Sequence, residues 1–175
     1  MKKSGEYIII SITVVLGVLL PFAFHFIAAG GKIFLPMYYP IIISGFLLEP
    51  TSALIAGFLT PFISSFITGM PTLNPPVAFQ MSIELSILGF LVSFLSGKLK
   101  FNYHIVCVIS ILINRILYAG LYFVITRIYN LPFKTKVIAE LTSSIPGVLI
   151  IFLALPSFAK FLKKKLFQSE SIYNR

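Results

Sequence analysis

The charged residues of this chain stand at its two ends and between long apolar runs, and that spacing decides which solvent it can fold in. Hydrophobic residues make up 58% of the 175 residues and charged ones only 11%. Soluble domains carry about 25% charged residues, so water is the wrong solvent for most of this surface. A spanning helix takes about 20 apolar residues, and six such helices with short loops use the whole chain. The expected fold class is therefore an all-α integral membrane protein, a six-transmembrane-helix bundle with no room for a soluble domain. The net charge of +9 would suit nucleic acid. Its placement between apolar runs is instead that of membrane topology, so no nucleic-acid partner is expected.

Lys2 and Lys3 followed by an apolar run resemble the start of a signal peptide. The run over 7–27 is about twice the usual length of such a segment and is read as a retained first helix. The remaining spans are expected over 35–48, 51–69, 77–97, 103–127 and 137–162. Residues 1–162 thus form one membrane domain, and 163–175 a short basic cytoplasmic tail. The second span is short. It follows a Gly-rich loop and holds Pro36 and Pro40, so it should begin irregularly, inside protein where an interrupted backbone is tolerated. Pro71, Pro75, Pro76 and Pro132 punctuate later loops.

Orientation follows from the basic residues. With both termini cytoplasmic, nine lie inside (Lys2, Lys3, Lys98, Lys100, Lys160, Lys163, Lys164, Lys165, Arg175). Four lie outside (Lys32, Arg127, Lys134, Lys136). The expected location is the cell membrane, with termini in. The cluster from Lys160 to Lys165 fits this bias and would also attract anionic lipid headgroups.

Polar side chains inside the spans gather toward the outer end. His25 closes the first span; Thr60, Ser64, Ser65 and Thr68 lie in the outer half of the third. Gln80 and Glu84 share one face of the fourth, four residues apart. Asn114 and Arg115 sit near the middle of the fifth, with Tyr118 and Tyr122 at i+3 and i+7 from Arg115. Glu140, Ser143 and Ser144 share a face of the sixth. Ionisable residues inside spans usually face a cavity or a partner, so these three faces suggest one outward-facing site. Glu84 and Arg115 are close enough in depth to pair with each other instead.

Several chemistries lack their residues. There is no phosphate-binding G-x-x-x-x-G-K-[ST] loop, no H-E-x-x-H and no G-x-S-x-G. The two histidines, His25 and His104, fall near opposite faces of the membrane. The single cysteine, Cys107, rules out an internal disulfide or a thiolate cluster and reads as a small packing residue. No enzymatic activity, cofactor or metal is expected.

Local runs carry a further resemblance: Leu19-Leu20-Pro21-Phe22-Ala23-Phe24-His25, Phe34-Leu35-Pro36-Met37-Tyr38-Tyr39-Pro40 leading to Ser44-Gly45-Phe46, Leu59-Thr60-Pro61 with Thr68-Gly69-Met70-Pro71, and Ile145-Pro146-Gly147 followed by Pro156. In this order, over nearly the whole chain, they resemble the substrate-binding S components of energy-coupling factor (ECF) transporters. The second run is similar to a branch with a P-M-H-x-P pattern, in which Tyr38 stands where that branch has histidine. The resemblance implies capture of a vitamin or related micronutrient from outside, and docking on a transmembrane coupling subunit with two cytoplasmic ATPases. It places the ligand in the outer half, where the polar census also points, and brings Tyr38 to the site. It further implies docking through small residues, here Thr13 and Gly17 on the first span and Ala53 and Gly57 on the third, which also suit packing within the bundle. The rival readings are a self-sufficient small-molecule permease or channel, and a membrane enzyme or assembly factor.

Overall fold

The computed structural model describes residues 3–24, 30–74, 76–129 and 133–173, and the side chains of those outside 133–136 and 167–173. Among them every regular element is helical: α1 Lys3–Phe24, α2 Gly30–Phe34, α3 Tyr38–Leu47, α4 Pro50–Thr68, α5 Val77–Ser93 with a π-helical turn Phe94–Lys98, α6 Tyr103–Tyr129, α7 Phe133–Ser143, α8 Ile145–Leu153 and α9 Leu155–Tyr173. Five helical stretches are long and apolar enough to cross a membrane: Lys3–Phe24, Pro50–Thr68, Val77–Lys98, Tyr103–Tyr129 and Ile145–Leu166. The chain is an all-α, membrane-embedded protein. Its outer surface is that of a molecule dissolved in lipid: Ile8, Ile12, Val15, Leu19 and Phe22 are all more than half exposed along α1 alone.

The stretch 35–48 differs from a full span. Its helix, α3, has ten residues, about 15 Å at 1.5 Å per residue, half of a hydrocarbon core of about 30 Å. Leu35 takes a left-handed φ of 52° between α2 and α3, just before Pro36. Tyr38, Pro40, Ile41, Ile42, Ser44, Gly45 and Phe46 are all buried. α3 is therefore the centre of the bundle, walled off from lipid, and a helix so shielded need not match the membrane's thickness. The core lies around it: Ile41, Ile42, Leu85, Leu88, Val92, Cys107, Ile111 and Ile151 form one buried cluster.

Proline sets the other breaks. Pro146 and Pro156 lie within the first two residues of α8 and after the start of α9, and the single residues Ser144 and Ala154 join α7, α8 and α9. Each proline removes an N–H from the helical ladder and pushes on the carbonyl four residues back. The bonds Val148 N–H to Ser144 O (3.0 Å) and Phe158 N–H to Ala154 O (3.1 Å) carry the chain across both joints. α4 starts with Pro50 at its first turn and stops at Gly69, whose φ of 73° ends it in the left-handed conformation.

Small residues decide how closely the helices pack. A Cβ on Gly57 of α4 would lie 2.2 Å from the Leu85 carbonyl oxygen of α5, and one on Gly89 would lie 2.7 Å from the Ala53 carbonyl oxygen. A Cβ on Gly17 of α1 would lie 2.1 Å from the Thr60 methyl. Thr13, Gly17, Ala53 and Gly57 are all buried. Gly17, Ala53 and Gly57 thus lie where α1, α4 and α5 approach one another, and the Thr13 hydroxyl donates to Ile9 O within α1.

Candidate functional site

Glu84 is the hub of a polar cluster in the half of the bundle nearest the 69–77 loop. It projects from the second turn of α5 and is 1% exposed. Gln80, one turn earlier on the same face, donates from Nε2 to Glu84 Oε1 at 2.7 Å. Tyr38, the first residue of α3, donates its hydroxyl to Glu84 Oε2 at 3.3 Å. From α6, Asn114 Nδ2 donates to the Glu84 backbone carbonyl at 3.0 Å, which ties α6 to α5 at that level. Both carboxylate oxygens of Glu84 therefore have donors from within the chain.

Arg115 stands beside this hub. Its guanidinium carbon lies 5.2 Å from the centre of the Tyr38 ring, a cation–π distance. Among the described residues no ion pair joins Arg115 to Glu84. Gln80 and Tyr38 hydrogen-bond the two carboxylate oxygens, and Arg115 lies next to them over the Tyr38 ring. Arg115 Nε and Nη2 are instead buried and without a hydrogen-bond partner, as is Asn114 Oδ1. Buried polar atoms are nearly always bonded, so these are donors and an acceptor available to a polar solute.

A second group adjoins the first. Tyr118 and Tyr122 stack on each other, ring centres 5.8 Å apart and planes at 14°, and pack with Val137. Their mutual faces are thus taken, and both rings are buried. The Tyr118 hydroxyl donates to Glu140 Oε2. Glu140 also meets Lys32 of α2 at 3.9 Å, with the lysine side chain 69% exposed. Such an exposed pair contributes little to stability, about 0–1 kcal/mol, and opens readily. From sequence alone Lys32 is an outer charge in the loop before the second span.

The remaining expected residues fall in lesser roles or outside view. Ser143 Oγ donates to Glu140 O at 3.3 Å and Ser144 Oγ to Leu141 O at 3.1 Å, both at the end of α7. On α4, Thr60 Oγ1 donates to Ala56 O at 2.7 Å and Ser64 Oγ to Met70 O at 2.8 Å, so these hydroxyls serve their helix and its end. His25 lies outside the described residues. Among the described residues no three His, Cys, Asp or Glu side chains gather as metal ligands.

One cleft adjoins the cluster and a second lies away from it. An apolar groove of about 190 Å³ between α5 and α6 has Gln80 on its wall beside Phe79, Ile83, Leu121 and Val124. A larger cleft of about 620 Å³ opens at the opposite end, among Glu6, Phe46, Glu49, Ser93, Lys98 and Lys163. It holds none of the cluster's residues. The charged and amide side chains that converge from α3, α5 and α6 make the cluster the better site. No family model, no curated protein and no solved structure matches this chain.

Proposed function

We propose that this chain is the substrate-binding S component of an ECF-type ATP-driven importer, which captures a vitamin or related micronutrient from the outer side of the cell membrane. In this reading the short, enclosed stretch 35–48 counts as the second of six spans. Both termini are cytoplasmic, by nine basic residues against four. A transmembrane coupling subunit and two cytoplasmic ATPases supply the energy that this chain, without a phosphate loop, does not.

The observation that carries the proposal is the convergence of Tyr38, Gln80, Glu84, Asn114 and Arg115 from three helices at one end of an apolar bundle, with buried donors of Arg115 left unmatched. The opposite cleft does not turn this into a permease path. Along α3, α5 and α6 the stretch between them is filled by Ile41, Ile42, Leu85, Leu88, Val92 and Ile111, each at most 2% exposed. A solute could not cross that layer without its separation, which supports a chain that binds on one side and relies on partners for release.

The test is purification of the tagged full chain from its native membranes, followed by uptake into liposomes. ATPase subunits should co-purify, and the chain alone should hold its solute without concentrating it. Concentrative uptake by the chain alone would overturn the proposal.

A further inference from the structure

Nε and Nη2 of Arg115 are not any two atoms of a guanidinium. They lie on one edge of the plane, and their N–H bonds run parallel, the fork that meets both oxygens of a carboxylate at once. These two nitrogens are the ones buried without partners. The plane is held in place: the Tyr38 ring lies 5.2 Å from the guanidinium carbon, and the Tyr38 hydroxyl is fixed by Glu84. Among the described residues no acid forms an ion pair with the fork. Both oxygens of Glu84 accept from Gln80 and Tyr38, and Glu140 accepts from Tyr118 and faces Lys32. Buried N–H groups are nearly always hydrogen-bonded, and this edge of the guanidinium matches a carboxylate in shape and charge.

We propose that the solute bound by this chain carries a carboxylate, and that Arg115 receives it side-on through Nε–H and Nη2–H. Asn114 Oδ1, buried on the neighbouring residue and equally without a partner, accepts a hydrogen bond from a donor elsewhere on the same molecule. The two acids already in the cluster, Glu84 and Glu140, limit how much further negative charge it takes. They favour a singly charged carboxylate over a dianionic phosphate monoester. This inference rests on the reading of the cluster as a binding site and adds the chemical class of what enters.

Three probes that share one ring separate the head groups: sodium benzoate, benzamide and phenyl phosphate, each added to the full chain in detergent micelles. The chain has three arginines, Arg115, Arg127 and Arg175, so a spectrum of 15N-labelled arginine side chains shows few Nε–H signals. Benzoate should shift one of them saturably, at least tenfold more tightly than benzamide. Arg115→Lys keeps the charge and loses the fork; it should remove that signal and weaken benzoate at least tenfold, while Arg127→Lys leaves binding unchanged. If Arg115→Lys does not fold, the wild-type spectra decide alone. No arginine shift with benzoate, equal binding of benzamide, or tighter binding of phenyl phosphate overturns the carboxylate assignment. Failure of the binding reading itself is seen separately, as no small molecule retained by the purified wild-type chain in mass spectrometry. A retained neutral or cationic molecule would sink the carboxylate and leave that reading standing.

Discussion

Tyr38 serves two partners with two parts of one side chain: the hydroxyl donates to Glu84 and the ring lies beneath Arg115. The two parts can be separated by mutation. Tyr38→Phe removes the hydroxyl and keeps the ring. Side-chain hydrogen bonds between membrane helices average about 0.6 kcal/mol and reach about 1.7 kcal/mol; a buried carboxylate acceptor belongs at the upper end. Tyr38→Ala also leaves a cavity, as for other buried aromatics about 3–5 kcal/mol. Unfolding of both variants in mixed micelles should give this order, and equal losses would show that the hydroxyl dominates. Spacing along the sequence places Gln80 with Glu84, and Arg115 with Tyr118 and Tyr122, because each set shares one helix face. It says nothing of Tyr38 against Glu84, 46 residues apart. Nor does depth alone show that Glu84 takes Gln80 and Tyr38 in place of Arg115.

At the scale of elements, five long helices are legible as unbroken apolar length, since lipid imposes that length on whatever faces it. The stretch 35–48 escapes the rule because α3 is enclosed by its neighbours, and enclosure is a property of the assembled bundle. The joints at Ser144 and Ala154 follow from Pro146 and Pro156, which are plain in the sequence; their effect on one expected span of 137–162 is not. The glycines divide by what stands opposite. A Cβ on Gly57 meets backbone of α5 at 2.2 Å, whereas one on Gly120 in α6 meets nothing within 4 Å. Backbone cannot step aside as a side chain can, so Gly57→Ala should destabilise by about 1–3 kcal/mol through overpacking. Gly120→Ala should be neutral or stabilise by up to about 1 kcal/mol, the usual helix gain over glycine. Equal unfolding midpoints for the two variants would mean that α4 and α5 do not approach as closely as this. The same contact explains why Gly17 and Gly57 read equally well as docking or packing residues from sequence: small residues permit close approach without saying to what.

For the whole molecule, polar groups gather at both ends of the bundle and the middle is apolar, and its function depends on which way the Glu84 cluster faces. The cluster lies toward the loop that contains Leu73, and the basic residues Lys98, Lys100 and Lys160 to Lys165 lie toward the other face. Cys107 is fully buried, so reporter cysteines can be added to the native chain with little background. Leu73 is 43% exposed in the loop after α4, and Gln168 lies late in α9. A membrane-impermeant maleimide applied to intact cells should label Leu73→Cys and leave Gln168→Cys unlabelled until the cells are opened. Labelling of Gln168→Cys in intact cells, with Leu73→Cys protected, would turn the cluster toward the cytoplasm and contradict capture from outside.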